Sequence, residues 1–318
     1  MKLLVVIVNY RCAGLTVDCL RSLEPEVAAT PGCRVVVVEN ASGDDSASRL
    51  ATAIKKNGWA TWVDLIQAPS NGGFASGNNV ALRPALASAE PPDYAWLLNP
   101  DTIVHPGALS ELVAFMERRP DVGLAGSRLE HVDGSPQQST FRFPTILGEL
   151  ESGLRLRLVT RLLENHSTFM SIPDRETRID WVAGASLLVR REVFEAIGLL
   201  DDGYFMYFEE VDFCLKASRA GWGCWYVPSS RVVHLIGQSS GVTAQNFETK
   251  RRPRYWFEAR KRYFVANHGR AKAVMADVSY TLAYSLFRLR WAILGKTHTD
   301  PVGFLGDFIR YNFLPVKR

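Results

Sequence analysis

Several common chemical signatures are missing from the 318-residue chain. Its five cysteines include no CxxC pair, and their odd number argues against a complete disulfide framework. A reducing compartment such as the cytoplasm is therefore the expected environment. The chain also has no G-x-G-x-x-G or P-loop signature, which excludes the regular nucleotide-binding fingerprints. No internal repeat or low-complexity tract is evident, so repeat architectures are excluded as well.

Long apolar runs are missing too. The first apolar run, Leu3 to Val8, is too short for a secretory signal and ends in a strand-like break, so no export is expected. Near the C-terminus, Asp277, Arg288 and Arg290 interrupt the apolar pattern, so no run of about 18 or more apolar residues could span a bilayer. That segment could instead lie in a membrane interface.

What the chain does contain is an ordinary globular composition with an uneven charge. Hydrophobic residues make up 47% of it, enough for a substantial core. Residues 250–318 carry 15 basic and 4 acidic side chains, a balance of +11, which leaves 22 basic and 29 acidic, or −7, for residues 1–249. A basic segment with interleaved aromatics could contact anionic lipid, nucleic acid or a phosphorylated acceptor, or could be a solvated helical face.

The order of apolar segments predicts an α/β domain. Leu3 to Val8 is an aliphatic run rich in β-branched residues and typical of a buried parallel strand. Further strands are predicted at Arg34 to Val38 and Trp62 to Gln67, with helical patterns between the three. Strands are also predicted at Gly123 to Ser127, Ser186 to Arg190, Trp222 to Val227 and Val232 to His234. Asp133 to about Arg178 has no regular pattern and is expected to be a flexible lid or an acceptor-facing insertion.

A glycine-dense loop is predicted from Asn71 through Gly72, Gly73 and Asn78 to Asn79, followed by a helix from Val80 to about Ala89. Glycine lets the backbone approach a ligand closely, and a helix N-terminus favours phosphate. The loop is therefore a candidate contact for a phosphorylated ligand.

Three polar groups follow predicted strands or begin a predicted helix. The strand through Leu98 stops at Asn99-Pro100-Asp101, Glu209-Glu210 opens a helix, and His234 ends a short strand. Asp101 is an oxygen ligand suited to a hard cation that bridges a diphosphate, and an imidazole could complete the coordination. A separate carboxylate could then act as general base. The structural alternatives are a simple Asn-Pro-Asp turn, acidic residues that stabilise a helix N-terminus, and a structural histidine.

Six ordered motifs resemble the family 2 inverting glycosyltransferases, and most closely their bacterial rhamnosyltransferase-like branch. They are VIVNY (6–10), VENASGDDS (38–46), NGGFASGNN (71–79), LLNPDT (97–102), DWVAGASLLVRREVF (180–194) and MYFEEVDFCLKASRAGW (206–222). The resemblance covers roughly residues 1–240. It implies a GT-A fold, a Rossmann-like mixed sheet flanked by helices, with a nucleotide-sugar donor, Mg2+ or Mn2+, and direct displacement with inversion at the anomeric carbon.

The resemblance also implies roles for individual residues. Val8, Asn9 and Tyr10 would border the nucleoside, and Glu39 or Asn40 would read the base. Asn99-Pro100-Asp101 takes the place of the family's DxD metal motif. Because Asn99 is neutral, Asp101 is the carboxylate ligand and Asn99 would lie near the ribose or phosphate of the donor.

On the other side of the reaction, Glu210 takes the place of the catalytic base, with Glu209 as the second choice, and His234 that of the metal- or diphosphate-binding histidine. Gly184 and Ala185 would form the acceptor wall, on which Trp181 could stack the acceptor sugar.

The expected organisation is a GT-A catalytic domain over residues 1–245, with a nucleotide-sugar-binding half (1–130) and an acceptor-binding half (131–245). Residues 246–318 would form a basic, aromatic, helical extension that could contact the inner face of the cell membrane. The expected function is transfer of a sugar, with rhamnose from dTDP-rhamnose preferred, to a glycan or lipid-linked acceptor in cell-surface polysaccharide synthesis, without nucleic acid. The alternatives are a nucleotidyltransferase and a non-catalytic carbohydrate- or lipid-binding scaffold.

Overall fold

The computed structural model describes residues 2–235, 251–297 and 299–314. The chain divides into two compact units. One, here called the sheet unit, comprises residues 1–140, 171–205 and 209–242, and the other, the helical unit, comprises residues 141–170, 206–208 and 243–318. The predicted domain boundary at residues 245–246 lies outside the described residues.

The strands account for the buried aliphatic runs of the sequence, and β1, β2 and β4 are almost entirely buried. In chain order they are β1 (Leu3–Asn9), β2 (Cys33–Glu39), β3 (Val63–Gln67), β4 (Tyr94–Leu98), β5 (Thr102–Val104), β6 (Val122–Glu130), β7 (Thr140–Phe141), β8 (Thr177–Ile179), β9 (Trp181–Val182), β10 (Ser186–Arg190) and β11 (Gly223–His234).

The helices are α1 (Ala13–Ala29), α2 (Ser46–Lys56), α3 (Gly73–Leu86), α4 (Ala108–Arg118), α5 (Ile146–Leu154), α6 (Arg157–Leu162), α7 (Arg191–Ile197), α8 (Glu209–Arg219), α9 (Arg254–Ile293) and α10 (Phe304–Phe313), with 3-10 turns at Trp59–Thr61 and Glu164–His166. Among these described elements, none is a helix both long enough and apolar enough to cross a membrane.

A mixed sheet of nine described strands forms the centre of the sheet unit, in the order β3-β2-β1-β4-β10-β6-β11-β5, with β8 also paired to β11. The pairs β3-β2, β2-β1 and β1-β4 are parallel, so their carboxyl ends meet at one edge. Strand β10 is antiparallel to β4 and therefore begins at that edge, where Ser186 pairs with Leu98. Strand β11 ends there beside β5, with His234 opposite Thr102.

Three sequence predictions differ from the structure. Helix α3 begins at Gly73 and not at Val80. The two strands predicted on either side of Pro228 are one strand, β11, with a register irregularity between Val227 and Arg231. The segment from Asp133 to Arg178, predicted to be irregular, contains helices α5 and α6.

The early start of α3 has a packing cause. The Asn71 side-chain oxygen accepts a hydrogen bond at 3.0 Å from the N–H of Gly73, the first residue of α3. A Cβ at Gly77 would lie 2.6 Å from Val8 Cγ1, so only glycine lets the helix approach β1 this closely. Glycines that indicate a loop by propensity are here required by packing.

The helical unit has its own aromatic core, which comprises Phe257, Tyr284, Phe287, Phe304 and Phe308. Helix α9 is kinked at Gly269, whose φ is 82°. Close to the kink, the buried Arg260 guanidinium forms ion pairs with Asp277 and Glu149, so a buried charge on the first half of α9 is compensated by the second half and by α5.

We expect Gly73→Ala to destabilise the protein severely. Gly73 has a φ of +84°, and a Cβ there would lie 1.7 Å from the Phe205 carbonyl oxygen. Gly134→Ala is the matched control, since Gly134 has a φ of +80° and no atom lies within 4 Å of the position that a Cβ would take. The control should lose about 1–2 kcal/mol in unfolding free energy and Gly73→Ala more than about 3 kcal/mol. Equal losses in urea denaturation would contradict the predicted clash.

Candidate active site

Several of the predicted site residues lie at the carboxyl edge of the parallel strands. Asn9 and Glu39 pair as the last residues of β1 and β2, and Asn99 directly follows β4. The predicted strand ends at this edge are confirmed. In open α/β sheets, ligands bind outside this edge, so its polar residues form a candidate ligand site.

Asp101 and His234 meet at this edge. The Asp101 carboxylate oxygen Oδ1 lies 3.5 Å from His234 Nε2, and Asn99 Nδ2 lies 3.4 Å from the same nitrogen. The cause is the antiparallel β5-β11 pairing, which sets His234 opposite Thr102, and it is reinforced by the Leu235 N–H, which donates to the Asp101 carbonyl at 2.9 Å. Two residues 133 positions apart are thus held together by backbone hydrogen bonds.

Further hydrogen bonds fix the backbone around these residues. Gln137 Nε2 donates to the His234 carbonyl at 2.6 Å and to the Glu130 carbonyl at 2.8 Å. Thr102 Oγ1 donates to the Asn99 carbonyl at 2.7 Å, which closes the turn after β4. The sequence analysis did not identify Gln137, because nothing in a lone glutamine signals that it contacts another strand.

Asn9, Asn40 and Asn71 form an amide-rich patch at the ends of β1, β2 and β3. The Asn40 N–H donates to the Asn9 carbonyl at 2.8 Å, and Asn40 Nδ2 donates to Asn71 Oδ1 at 3.0 Å and to the Gly73 carbonyl at 3.1 Å. Asn9 is fully buried, and its Oδ1 accepts a hydrogen bond from Thr16 Oγ1 at 2.9 Å. The side chain of Asn9 therefore anchors α1 within the fold.

The remaining residues predicted for the donor side occupy different environments. Glu39 is buried and accepts a hydrogen bond from the Ser42 N–H at 2.8 Å, Val8 is buried, and Tyr10 and Gly72 are half-buried. Asn78 is buried within α3 and donates to the Phe74 carbonyl at 2.9 Å. Of this group, Tyr10 and Gly72 are the more accessible to a ligand.

Glu209 and Glu210 open helix α8, and the structure separates their properties. Burial, reinforced by the neighbouring charge of Glu210, raises the pKa of Glu209 well above its usual value. Burial raises the pKa of Glu210 to about 7, while hydrogen bonds from the backbone N–H groups of Glu210, Gly184 and Val211 oppose that rise. In the described structure, Glu210 Oε2 has no hydrogen-bond partner. Near neutral pH, Glu210 can therefore take up or release a proton.

The Gly184-Ala185 segment contacts both the acidic pair and the end of β4. The Gly184 N–H hydrogen-bonds the Glu210 carboxyl group, and the Ala185 carbonyl accepts from the Asn99 N–H at 3.0 Å. A Cβ at Gly184 would lie 3.3 Å from the Phe74 ring and 3.8 Å from Glu210 Cβ. The small residues predicted for the acceptor side thus lie directly beside Glu210.

Phe74 is a second residue that the sequence analysis did not identify. It belongs to the first turn of α3, its N–H donates to the Phe205 carbonyl at 2.9 Å, and its ring borders Gly184. Its position as an aromatic residue inside a glycine-dense motif was the sequence signal that could have identified it. Trp181 lies half-buried in β9, three positions before Gly184 in the chain.

The residues of this edge fit a divalent cation as a partial ligand set. In residues 2–235, 251–297 and 299–314, no group of three or more His, Cys, Asp or Glu side chains is arranged to hold a metal ion. Asp101 and His234 nevertheless offer a buried carboxylate oxygen and an imidazole nitrogen 3.5 Å apart. Two such ligands suit Mg2+ or Mn2+ when phosphate oxygens and water supply the rest of the coordination.

Comparison with known proteins gives consistent matches. The family model described as "Glycosyltransferase like family 2" matches residues 2–276. An N-acetylglucosaminyl-diphospho-decaprenol L-rhamnosyltransferase of Mycobacterium tuberculosis is 33% identical over 153 residues, 47% of this chain and 49% of the relative. The rhamnosyltransferase WbbL of Escherichia coli is 30% identical over 168 residues, 51% of this chain and 60% of the relative. The alignments thus span about half the length of these relatives.

A solved structure supports the fold. The mannosyltransferase PcManGT from Pyrobaculum calidifontis, in complex with GDP-Man and Mn2+, superimposes with a TM-score of 0.57 at 16% identity, over 92% of this chain and 75% of that one. The mixed α/β sheet is that of the GT-A fold, and long helices follow it in the chain. The predicted fold class is confirmed.

The raised pKa of Glu210 predicts a pH-dependent stability. A carboxyl group with a pKa of about 7 in the folded protein, against about 4.3 in the unfolded chain, stabilises the fold fully below the lower value. This contribution is lost as the pH rises through the folded value. We therefore expect Glu210→Gln to gain in melting temperature over the wild type as the pH is raised from about 5 to about 8.

Differential scanning calorimetry across this pH range measures the difference. The control is Glu24→Gln, because Glu24 is exposed on α1, and its melting curve should follow that of the wild type. A Glu210→Gln difference that stays constant, or that shrinks at higher pH, would contradict the raised pKa.

Proposed function

Because the chain belongs to glycosyltransferase-like family 2 and has the GT-A fold, we propose that it is an inverting rhamnosyltransferase. It would transfer rhamnose from dTDP-rhamnose to a lipid-linked glycan in cell-surface polysaccharide synthesis. Membership of the family supports the general activity, which is transfer of a sugar from a nucleotide-sugar. The two relatives named as rhamnosyltransferases support rhamnose as the transferred sugar. The name of the mycobacterial relative also supports a polyprenyl-linked acceptor.

One observation carries the proposal. The Gly184-Ala185 segment hydrogen-bonds the Glu210 carboxyl group on one side and the Asn99 backbone on the other, beside Asp101 and His234. A carboxyl group able to take a proton near neutral pH and a pair suited to a cation and diphosphate are therefore linked by two residues. In the proposed displacement at the anomeric carbon, the first would accept the proton of the acceptor and the second would stabilise the leaving diphosphate.

In this mechanism, the amide patch of Asn40 and Asn71 and the start of α3 bind the nucleotide. Glu210 Oε2 takes the proton of the acceptor hydroxyl as the oxygen attacks the anomeric carbon on the face opposite the diphosphate. The new C–O bond forms as the bond between the anomeric carbon and the diphosphate oxygen breaks, and the nucleoside diphosphate leaves with that electron pair. A divalent cation, when bound by Asp101 and His234, supplies Lewis-acid stabilisation of the leaving diphosphate.

Small residues set the space beside the base. Gly184 lies between the Phe74 ring and Glu210, where a larger side chain would crowd both. In the proposed site the acceptor sugar binds beside Glu210, with Trp181 as the stacking residue. Glu209, whose pKa burial and the neighbouring Glu210 charge raise well above its usual value, is the second candidate for the base.

We expect Glu210→Gln to lower kcat/KM by about 10²–10⁴-fold, because the amide cannot accept the proton. In the wild type, kcat/KM should rise with pH through about 7, the pKa of the Glu210 carboxyl group. Transfer is measured by release of the nucleoside diphosphate from the nucleotide-sugar. The rival activity is tested in a separate assay with a nucleoside triphosphate and a sugar 1-phosphate, from which a nucleotidyltransferase would release inorganic diphosphate.

Glu209→Gln and Glu24→Gln are measured in parallel with Glu210→Gln. A Glu210→Gln variant that turns over at the wild-type rate would remove Glu210 from the role of base. Loss of turnover in Glu209→Gln but not in Glu210→Gln would assign the role of base to Glu209. Release of inorganic diphosphate would overturn the proposal that the protein is a glycosyltransferase.

We expect Asp101→Asn to weaken Mn2+-dependent binding of the nucleoside diphosphate by at least about tenfold, since the amide is a poorer cation ligand. Isothermal titration with and without Mn2+ measures this effect. Asp121→Asn is the matched control, because Asp121 is exposed, immediately precedes β6 and so lies at the opposite edge of the sheet. Equal affinities for Asp101→Asn and the wild type in Mn2+ would refute a metal role for Asp101.

A further inference from the structure

The second half of α9 carries an exposed apolar surface, here called the α9 stripe. Its side chains are between 41% and 75% exposed. They recur every three or four residues, so they share one face of the helix over about 27 Å. The stripe consists of Met275, Val278, Leu282, Leu286, Leu289 and Ile293.

The stripe is distinct from the face that α9 uses in its own core. Ala276, Ala283, Tyr284 and Phe287 are buried, and a Cβ at Gly153 of α5 would lie 2.7 Å from Ala283 Cβ. At 100° per residue these positions point away from the stripe. Packing inside the helical unit therefore leaves the stripe exposed among the residues that the structure describes, although burying it would be favourable.

The charges around the stripe are nearly all positive. From Arg270 to Thr297 the sequence has five basic residues and one acidic residue, Asp277. Asp277 is buried and forms an ion pair with Arg260, so it presents no negative charge at the surface. At 100° per residue, Lys272 and Arg290 lie about 80° to one side of the centre of the stripe, and Arg270 and Arg288 lie about 120° to the other side.

A helix with an apolar face and mostly basic charged residues on its other positions is typical of one that lies in the plane of a membrane interface. The apolar side chains enter the boundary of the acyl chains, and the basic side chains contact anionic headgroups. Charge complementarity thus identifies anionic lipid as the occupant, whereas a second copy of the chain would bring the same positive flanks together.

We propose that the α9 stripe docks the protein on a bilayer that contains anionic lipid, with the second half of α9 parallel to the surface. This surface deepens the proposed function and rests on it for its biological purpose, delivery of a membrane-bound acceptor. The binding itself needs neither donor nor acceptor, so it can be measured separately.

The test uses the full chain and sedimentation with vesicles of phosphatidylcholine alone or with about 30% phosphatidylglycerol. The wild type should bind the anionic vesicles at least tenfold more tightly than the neutral ones, and added salt should weaken that binding. The combined variant Leu282→Gln, Leu286→Gln, Leu289→Gln should lose at least tenfold in binding. Val132→Gln, at an exposed apolar position outside α9, should bind like the wild type.

Two double variants, each lacking two basic side chains, distinguish the effect of charges near the stripe from the effect of net charge. Arg270→Gln with Lys272→Gln should weaken binding to anionic vesicles more than Lys55→Gln with Lys56→Gln, which removes two exposed charges from α2. Circular dichroism and thermal melting of each variant establish that it is folded. Equal losses from the two pairs would mean that net charge, and not the stripe, drives binding.

Two results would overturn the proposal: wild-type protein that does not bind anionic vesicles, or a triple-glutamine variant that binds as the wild type does. Wild-type dimers that the triple variant abolishes, without vesicle binding, would assign the stripe to a second copy instead. The rise in melting temperature on addition of the nucleotide-sugar, measured on the same samples, tests the transferase proposal separately from the docking proposal. If only the transferase proposal is wrong, the nucleotide-sugar does not change the melting temperature of the wild type, and the wild type still binds anionic vesicles.

Discussion

The hydrogen bond from the Asn99 N–H to the Ala185 carbonyl, 3.0 Å long, joins the two halves of the candidate site. It exists because β10 runs antiparallel to β4 and starts where β4 ends. The same register brings Gly184 to the Glu210 carboxyl group. A change of one residue in this register would move every side chain of β10 to the opposite face and would separate the Glu210 carboxyl group from Asp101 and His234.

The raised pKa of Glu210 follows from this arrangement. A carboxyl group at the start of a helix would ordinarily be stabilised in its charged form by the helix dipole and the free N–H groups. Here burial outweighs those hydrogen bonds, so the pKa rises to about 7. Glu209 and Glu210 are adjacent in sequence but have different surroundings, since Glu209 is the more deeply buried of the two. Their environments, and not their chemistry, distinguish these two carboxyl groups.

Much of the fold could be predicted because the strands are buried on both faces and so appear as aliphatic runs, as in Leu3 to Val8. The start of α3 could not, because the need for Gly77 comes from its contact with Val8 in another element. Likewise, the motifs identified Asp101 and His234 as separate candidates. Their 3.5 Å separation depends on the pairing of β5 with β11, which local sequence does not encode. Gln137 and Phe74 act through tertiary contacts and leave little signal in the sequence.

The most direct measurement is a crystal structure with a nucleoside diphosphate and Mn2+, using the anomalous signal of the metal. We expect a metal peak coordinated by Asp101 and His234, with the diphosphate beside the start of α3. A metal peak elsewhere, or a diphosphate bound away from the end of β4, would contradict it.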